Sequence, residues 1–200
     1  MPDQSPATEA NRSGNALLFA RNFFRHPRML GSIVPSSRFL VRQLLEPVNW
    51  GRARVIVEYG PGVGGITLEV LRQMRADATL VAIEMNPAFV RHLTDTISDP
   101  RLHVVAGSAA DVDLILRRLG LTRADYIISG IPFSTIPAAE RERILRNTVA
   151  VLEPGGAFLL YQFSKRIMED LKRVFGYVGR QFQPLNVLPA YLFICQLTTE

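Results

Sequence analysis

Glu58-Tyr59-Gly60-Pro61-Gly62-Val63-Gly64-Gly65 is the stretch on which the fold turns. It follows a β-rich run at Arg54–Tyr59 and precedes an amphipathic run at 65–75, so it predicts strand, glycine-rich turn and helix in succession. Glycines at that junction let the backbone approach a ligand closely at the amino end of a helix. The next strand, Thr79–Glu84, ends in Ile83-Glu84-Met85-Asn86, and an acidic residue there can accept hydrogen bonds from both ribose hydroxyls of a nucleotide. Gly60, Gly62 and Gly65 satisfy G-x-G-x-x-G, which permits a nicotinamide dinucleotide. A P-loop is excluded because no Gly-Lys-Ser/Thr follows. Tyr161 and Lys165 have the Tyr-x-x-x-Lys spacing of short-chain dehydrogenases, but that pair shares a face only on a helix. Gly155–Tyr161 reads as a strand, which argues against a dehydrogenase.

Working outward, further strands are expected at Leu102–Ala106, Ala124–Ser129, Gly156–Phe163, Tyr177–Gln183 and Tyr191–Leu197. Helices fill the gaps at 65–75, 87–97, 109–119, 137–152 and 165–175. This alternation predicts an α/β fold: a Rossmann-like, doubly wound, seven-stranded and mostly parallel sheet. The last two strands follow one another across Pro184–Pro189 and should form a terminal antiparallel hairpin. Ser36 or Ser37 can N-cap a helix at 37–46, closed by Pro47, with Leu40, Val41, Leu44 and Leu45 on one core-facing side. The expected organisation is a disordered tail at 1–14, an amphipathic helical arm at 15–50 and the α/β domain at 51–200.

The 200 residues are 48 % hydrophobic and 20 % charged, which excludes disorder as a description of the whole chain. The net charge is +5, and its address matters more than its size. Arg12, Arg21, Arg25, Arg28, Arg38 and Arg42 occur with no acidic residue between them, so the rest of the chain is close to neutral. On a helical wheel of residues 16–25, Ala16, Leu17, Phe19, Ala20, Phe23 and Phe24 share one arc, with Arg21, Asn22 and Arg25 opposite and Leu18 out of place. Pro27 ends this segment. Such a helix either docks its phenylalanines on the core or lies in a membrane interface with its arginines on anionic headgroups. The second reading assigns membrane contact to Leu17, Phe19, Arg21, Phe23, Phe24 and Arg25. No apolar run is long enough to span a bilayer, and Asp3 and Glu9 in the polar N-terminus are unlike a secretory signal. Cys195 is the only cysteine, which excludes an intramolecular disulfide and a Cys-rich zinc site and makes a reducing cytosol the default compartment. No metal is expected.

Gly60, Gly62 and Gly64 after Glu58 also satisfy E-x-G-x-G-x-G, which resembles the class I S-adenosylmethionine-dependent methyltransferases. In that class the end of the fourth strand faces the transferred methyl, and here it reads Ser129-Gly130-Ile131-Pro132-Phe133-Ser134. Enzymes that methylate amines of nucleic acid carry Asn or Asp at the head of a related motif, with an aromatic that stacks on the flipped base. Gly130 stands where that Asn would be. Arg28–Leu40, Val57–Gly64, Ala82–Asn86, Ser129–Ala138 and Gly155–Ser164 together resemble the bacterial phospholipid N-methyltransferases of the soluble, rRNA-adenine-dimethylase-like type. Gly107-Ser108-Ala109 departs from the Gly-Asp-Ala more usual among methyltransferases.

The resemblance implies a class I methyltransferase domain that converts phosphatidylethanolamine towards phosphatidylcholine, with S-adenosylhomocysteine as co-product. It implies a cytoplasmic enzyme held peripherally on an anionic surface, the inner face of the cytoplasmic membrane, and no nucleic-acid partner. Cofactor contacts are then expected at Glu58, Tyr59, Gly60, Gly62, Gly64, Glu84, Met85, Ser108, Ala109 and Ser129. Ser129, Gly130, Ile131, Pro132 and Phe133 form the acceptor wall. A neutral amine is needed for attack, and the Ser129 carbonyl, Tyr59, Ser134 or Tyr161 can take its proton; no His-carboxylate pair at motif spacing offers a stronger base. Arg28, Arg38 and Lys165 are candidate phosphate contacts. Two other readings remain open: an rRNA or nucleic-acid adenine N6-methyltransferase, and a non-catalytic membrane-binding or membrane-remodelling protein. Gly130 and the lack of sequence for an RNA-binding domain after Leu197 count against the first, and the glycine loop with Glu84 against the second.

Overall fold

The computed structural model describes residues 37–185 and 188–197. The expected tail, the helix at 16–25 with its six membrane-contact residues, and Arg28 lie outside the described residues. Helix α1 (Arg38–Leu45) opens the described chain. The Ser37 hydroxyl accepts the Leu40 N–H at 3.2 Å, which makes Ser37 the N-cap, and Leu40, Val41, Leu44 and Leu45 are buried.

From Val55 strands and helices alternate: β1 (Val55–Tyr59), α2 (Gly65–Gln73), β2 (Thr79–Glu84), α3 (Pro87–Thr96), β3 (Leu102–Ala106) and α4 (Val112–Arg118). β4 (Ala124–Ser129), α5 (Ala138–Val151), β5 (Leu152–Gln162), α6 (Met168–Val174), β6 (Tyr177–Gln183) and β7 (Ala190–Gln196) complete the chain. The seven strands form one sheet in the order β3-β2-β1-β4-β5-β7-β6. β1 to β5 are mutually parallel, and β7 runs antiparallel to both β5 and β6. The expected hairpin is present, with its second strand inserted beside β5 and its first strand at the sheet edge.

Apolar strand residues, alternating between faces, feed two cores. On one face Val57, Tyr59, Ile127, Phe158 and Phe193 pack against residues of α4, α5 and α6. On the other Ile56, Leu80, Ile128, Leu159 and Leu192 pack against residues of α1 and α2. Several boundaries differ from expectation. β5 begins at Leu152 because α5 runs straight into it, and the register with β4 then shifts between Ala124 and Tyr126. Gly156 lies in the shifted stretch, where a Cβ would stand 2.4 Å from the Asp125 carbonyl oxygen. The helices expected at 109–119 and 165–175 each start with a 3-10 turn, Ala109–Asp111 and Lys165–Ile167, capped by Ser108 and Ser164.

Candidate active site

The strand order reverses beside β1, which has β2 on one side and β4 on the other. Ligands of doubly wound sheets bind outside the carboxyl ends of the strands at such a point. Hydrogen bonds tie those ends together one residue past the strands: Gly60 N–H to Ile83 O, Gly107 N–H to Glu84 O and Gly130 N–H to Tyr59 O, each 3.0 Å.

Gly60, Gly62 and Gly64 have φ of +69°, +58° and +86°, a region that costs residues with a Cβ about 1–2 kcal/mol. A Cβ on Gly60 would lie 2.6 Å from Ile131 Cγ2, and one on Gly64 2.8 Å from Leu93 Cδ2. Gly65, the last glycine of the dinucleotide pattern, has neither constraint. The backbone therefore needs the 60-62-64 spacing. Gly64 also stands at the N-cap of α2 without a side-chain hydrogen bond, so the positive end of that helix is left to the loop and its ligand.

Two buried carboxylates frame the loop. Glu84 Oε2 accepts the Gly62 N–H at 3.2 Å and Oε1 accepts the Asn86 N–H at 2.8 Å, which fixes the carboxylate against both the loop and the end of β2. Burial pushes its pKa up while these backbone N–H groups pull it down, with a net rise. Glu58 Oε2 accepts the Thr67 hydroxyl at 2.7 Å, joining β1 to the first turn of α2. Its Oε1 is buried with no partner among the described residues, and burial raises the group from 4.5 to about 7. Glu58 thus ties β1 to the helix that follows the loop. Beyond Glu84, the Met85 side chain is 73 % exposed, so the end of β2 presents an acid and an apolar surface side by side. Ser108 caps its turn through Ala110 N–H at 3.2 Å and lies 3.5 Å from Glu140 Oε1; Ala109 beside it is buried.

At the end of β4 the acceptor residues separate. Ser129 is fully buried and its hydroxyl accepts the Ile131 N–H at 3.4 Å. Gly130 is the crowded point: a Cβ there would stand 3.3 Å from the Gly60 carbonyl oxygen and 3.4 Å from the Tyr161 hydroxyl. Loop, acceptor strand and Tyr161 therefore meet at Gly130. The other proton acceptors suggested by the sequence do not reach this point. Tyr59 is wholly buried in the α5 side of the core, its hydroxyl bonded to Thr148 at 3.1 Å, and burial pushes that phenol well above its ordinary range. Ser134 is exposed on the Phe133–Thr135 turn. Phe133 also departs from expectation, because its ring is fully buried edge-on to Phe158 at 6.3 Å and anchors the wall from behind. Ile131 and Pro132 stay partly exposed.

Gln162, the last residue of β5, was not foreseen. Its Oε1 accepts the Phe133 N–H at 3.1 Å, and its Nε2 donates to the carbonyls of Ile131 at 2.8 Å and Tyr161 at 2.7 Å. One buried amide thereby holds the Ile131–Phe133 turn against the strand that carries Tyr161. The clue in the sequence is a lone amide in the otherwise apolar run from Ala157 to Phe163, since a buried polar side chain must be bonded to be tolerated.

A sheet with this switch point, glycine loop and terminal acid defines a nucleotide-cofactor enzyme of the Rossmann-like class. The methyltransferase-domain family profile matches residues 56–156. An ornithine lipid N-methyltransferase of Singulisphaera acidiphila is 31 % identical over 185 residues, covering 92 % of this chain and 96 % of that protein. Among solved structures, a precorrin-6y C5,15-methyltransferase from Geobacter metallireducens superposes with TM-score 0.62 at 14 % identity, covering 81 % of this chain and 89 % of that one. Human methyltransferase-like protein 13, solved with S-adenosylhomocysteine, superposes with TM-score 0.59 at 19 % identity, covering 88 % and 83 %. The chain belongs to the class I S-adenosylmethionine-dependent methyltransferases.

The residues present fit that cofactor. The loop has no Cβ at Gly60, Gly62 and Gly64 where a ligand must come close, the buried Glu58 oxygen has no partner among the described residues, and the Glu84 carboxylate, with about four acceptor sites, keeps capacity beyond its backbone bonds. Glu84 would hold the ribose, the loop and α2 the amino-acid end, and Met85, Ser108 and Ala109 the adenine.

Proposed function

We propose that the protein is a lipid N-methyltransferase that methylates the headgroup amine of phosphatidylethanolamine, towards phosphatidylcholine, at a membrane surface. The observation that carries this reading is the similarity over nearly the whole length to a protein named for N-methylation of an amine-bearing lipid. The acceptor end of β4 agrees with it. Gly130 brings no amide side chain to pair with a base edge, and the Phe133 ring is buried rather than offered for stacking. An aliphatic amine needs room and an oxygen to hold an N–H. Gly130 supplies the first, and the Tyr161 hydroxyl with the Ser129 carbonyl supplies the second.

S-adenosylmethionine, when bound, supplies an electrophilic methyl on its sulfonium; transfer to a neutral amine yields the N-methylated amine, S-adenosylhomocysteine and a proton. The protein's part is alignment: Glu84 and the glycine loop would hold the cofactor, and Ser129–Pro132 would face the amine. Tyr161 orients the amine. Among the described residues no helix is long and apolar enough to cross a membrane, and the Arg- and Phe-rich segment at 15–26 is assigned to peripheral attachment.

The test is incubation with methyl-labelled S-adenosylmethionine and separate pools of phosphatidylethanolamine, ornithine lipid and ribosomal RNA. Label in phosphatidylethanolamine is the expected result. Label in ornithine lipid alone keeps the chemistry and changes the headgroup, and label in RNA alone overturns the reading. Removal of residues 1–26 should abolish sedimentation with anionic vesicles while the fold persists; undiminished binding would sink the role given to that segment.

A further inference from the structure

β6 is the edge strand of the sheet. It runs antiparallel to β7, as β7 does to β5, so β6 ends at the same sheet edge as β1, β4 and β5. The pairing Gln162↔Tyr191 beside Gln183↔Ala190 places the turn between β6 and β7 just beyond the acceptor strand ends. That turn reads Pro184-Leu185-Asn186-Val187-Leu188-Pro189 and contains no charged residue. Leu185 is 62 % exposed and Leu188 46 %, with Phe182 at 53 % just before them.

Cations border it on both faces of the sheet. The Ser37 hydroxyl donates to the Leu185 carbonyl at 2.7 Å, so the start of α1, with exposed Arg38, Phe39 and Arg42, is fastened to the tip. On the opposite face Lys165 Nζ and the Arg180 guanidinium stand 5.1 and 5.8 Å from the Tyr191 ring centre, and that ring lies 5.2 Å from Phe182. Among the described residues none of Arg38, Arg42, Lys165 and Arg180 is paired with a carboxylate, unlike Arg117 of α4 and Arg141, Arg143 and Arg146 of α5. Nor does any acidic residue occur at 10–45 or at 171–199. A soluble partner protein would be expected to meet such a surface with carboxylates. Leucine and phenylalanine projecting beyond unpaired cations, some perched over aromatic rings, is instead the pattern that suits headgroup phosphates above an acyl boundary.

We propose that Phe182, Leu185 and Leu188, where β6 ends and β7 approaches, form with their flanking cations a second docking surface for an anionic phospholipid bilayer, distinct from the segment at 15–26. Leu185, Leu188 and Phe182 enter the interface, while Arg38 and Arg42 on one side and Lys165 and Arg180 on the other meet phosphates. Because the tip leaves the sheet at the edge where Gly130 and Tyr161 meet, docking turns the acceptor end of the site toward the headgroups. The purpose of the surface rests on the lipid-methyltransferase reading; its existence does not.

The experiment uses the full chain, vesicles of phosphatidylcholine with about 30 % phosphatidylglycerol, and two variants, Leu185→Asp/Leu188→Asp and Arg180→Glu. Each should bind the vesicles about tenfold or more weakly than wild type, with melting temperature and S-adenosylmethionine affinity unchanged. Each should also methylate short-chain, monomeric phosphatidylethanolamine at the wild-type rate while losing activity on vesicles. Arg180→Glu keeps the test open should the double variant fold poorly. Wild-type binding by both variants, or no vesicle binding by wild type, overturns the docking surface and leaves the enzymatic reading intact. Vesicle binding that is weakened in the variants, without methylation of any phosphatidylethanolamine, supports the surface and removes that substrate.

Discussion

The two halves of the sheet are built on different principles. In the β3-β2-β1 half the polar groups of the site are locked to nearby backbone and side chains: Glu84 to Gly62 and Asn86, and Glu58 to Thr67. In the β4-β5 half the decisive position is a missing side chain at Gly130, and the surrounding turn is held by one distant amide, Gln162. The methyltransferase-domain match, residues 56–156, takes in the first half and β4 but ends before Tyr161, Gln162 and the hairpin. On the proposed reading the shared cofactor is served by short-range, recognisable chemistry. The acceptor is then served by packing between strands far apart in sequence, where members of one fold class are free to diverge.

Substitutions on the cofactor side should give the largest effects. Glu84→Ala removes an acceptor from two backbone N–H groups and from the ribose; hydrogen bonds to charged groups contribute about 1.5–3 kcal/mol each, so S-adenosylmethionine affinity by calorimetry should fall about a hundredfold or more. Unchanged affinity would break the division between the halves. Glu58 provides a pH test on the same side. Its folded pKa, about 7, lies above the ordinary 4.5, so the neutral form suits the fold and its contribution is complete below 4.5. That contribution is lost as pH rises through 7. The loss is on the order of 3 kcal/mol, and thermal melts of the cofactor-free protein should show a falling Tm from pH 5 to 8 that flattens in Glu58→Gln.

Gly60→Ala sits at the boundary between the halves, since its new methyl would strike Ile131 across the switch point. With the positive φ added, a cost of about 2 kcal/mol or somewhat more is expected, read as a roughly thirtyfold weaker cofactor affinity together with slower turnover. Gln162→Leu acts on the other half of the sheet. It should lower kcat about tenfold, leaving cofactor affinity within about twofold, because the amide bonds only the Ile131–Phe133 turn and Tyr161. Equal losses in both readouts would show that the amide merely supports the fold. The smallest effect belongs to Tyr161→Phe: a few-fold drop in kcat with a raised KM for the lipid amine, consistent with the loss of one neutral hydrogen bond.

Particular residues show how far the sequence reaches. The loop glycines, Glu84 and the Ser37 cap were legible because each is a local requirement: a positive φ, a strand-end acid, a hydroxyl three residues before the N–H it accepts. The same held for the strand alternation and the terminal hairpin, whose signals lie within about ten residues. β5 was misread at its start because Pro154, Gly155 and Gly156, which read as punctuation before a strand, lie within it, where the register with β4 shifts.

The fold class, the glycine loop after β1 and the strand proposed to face the acceptor were all readable along the chain, since backbone conformation and burial periodicity are written in neighbouring residues. The sequence could not decide which candidate side chains share the acceptor site. Tyr59 and Ser134 stand within a few positions of the right motifs, yet one faces the α5 core and the other faces solvent. Tyr161 and Gln162, some thirty residues from Gly130, are the ones brought to it. Only the sheet order made that choice, because placing β5 beside β4 converts a long separation along the chain into contact distance, and the face on which a strand residue falls decides whether it reaches the site or the core.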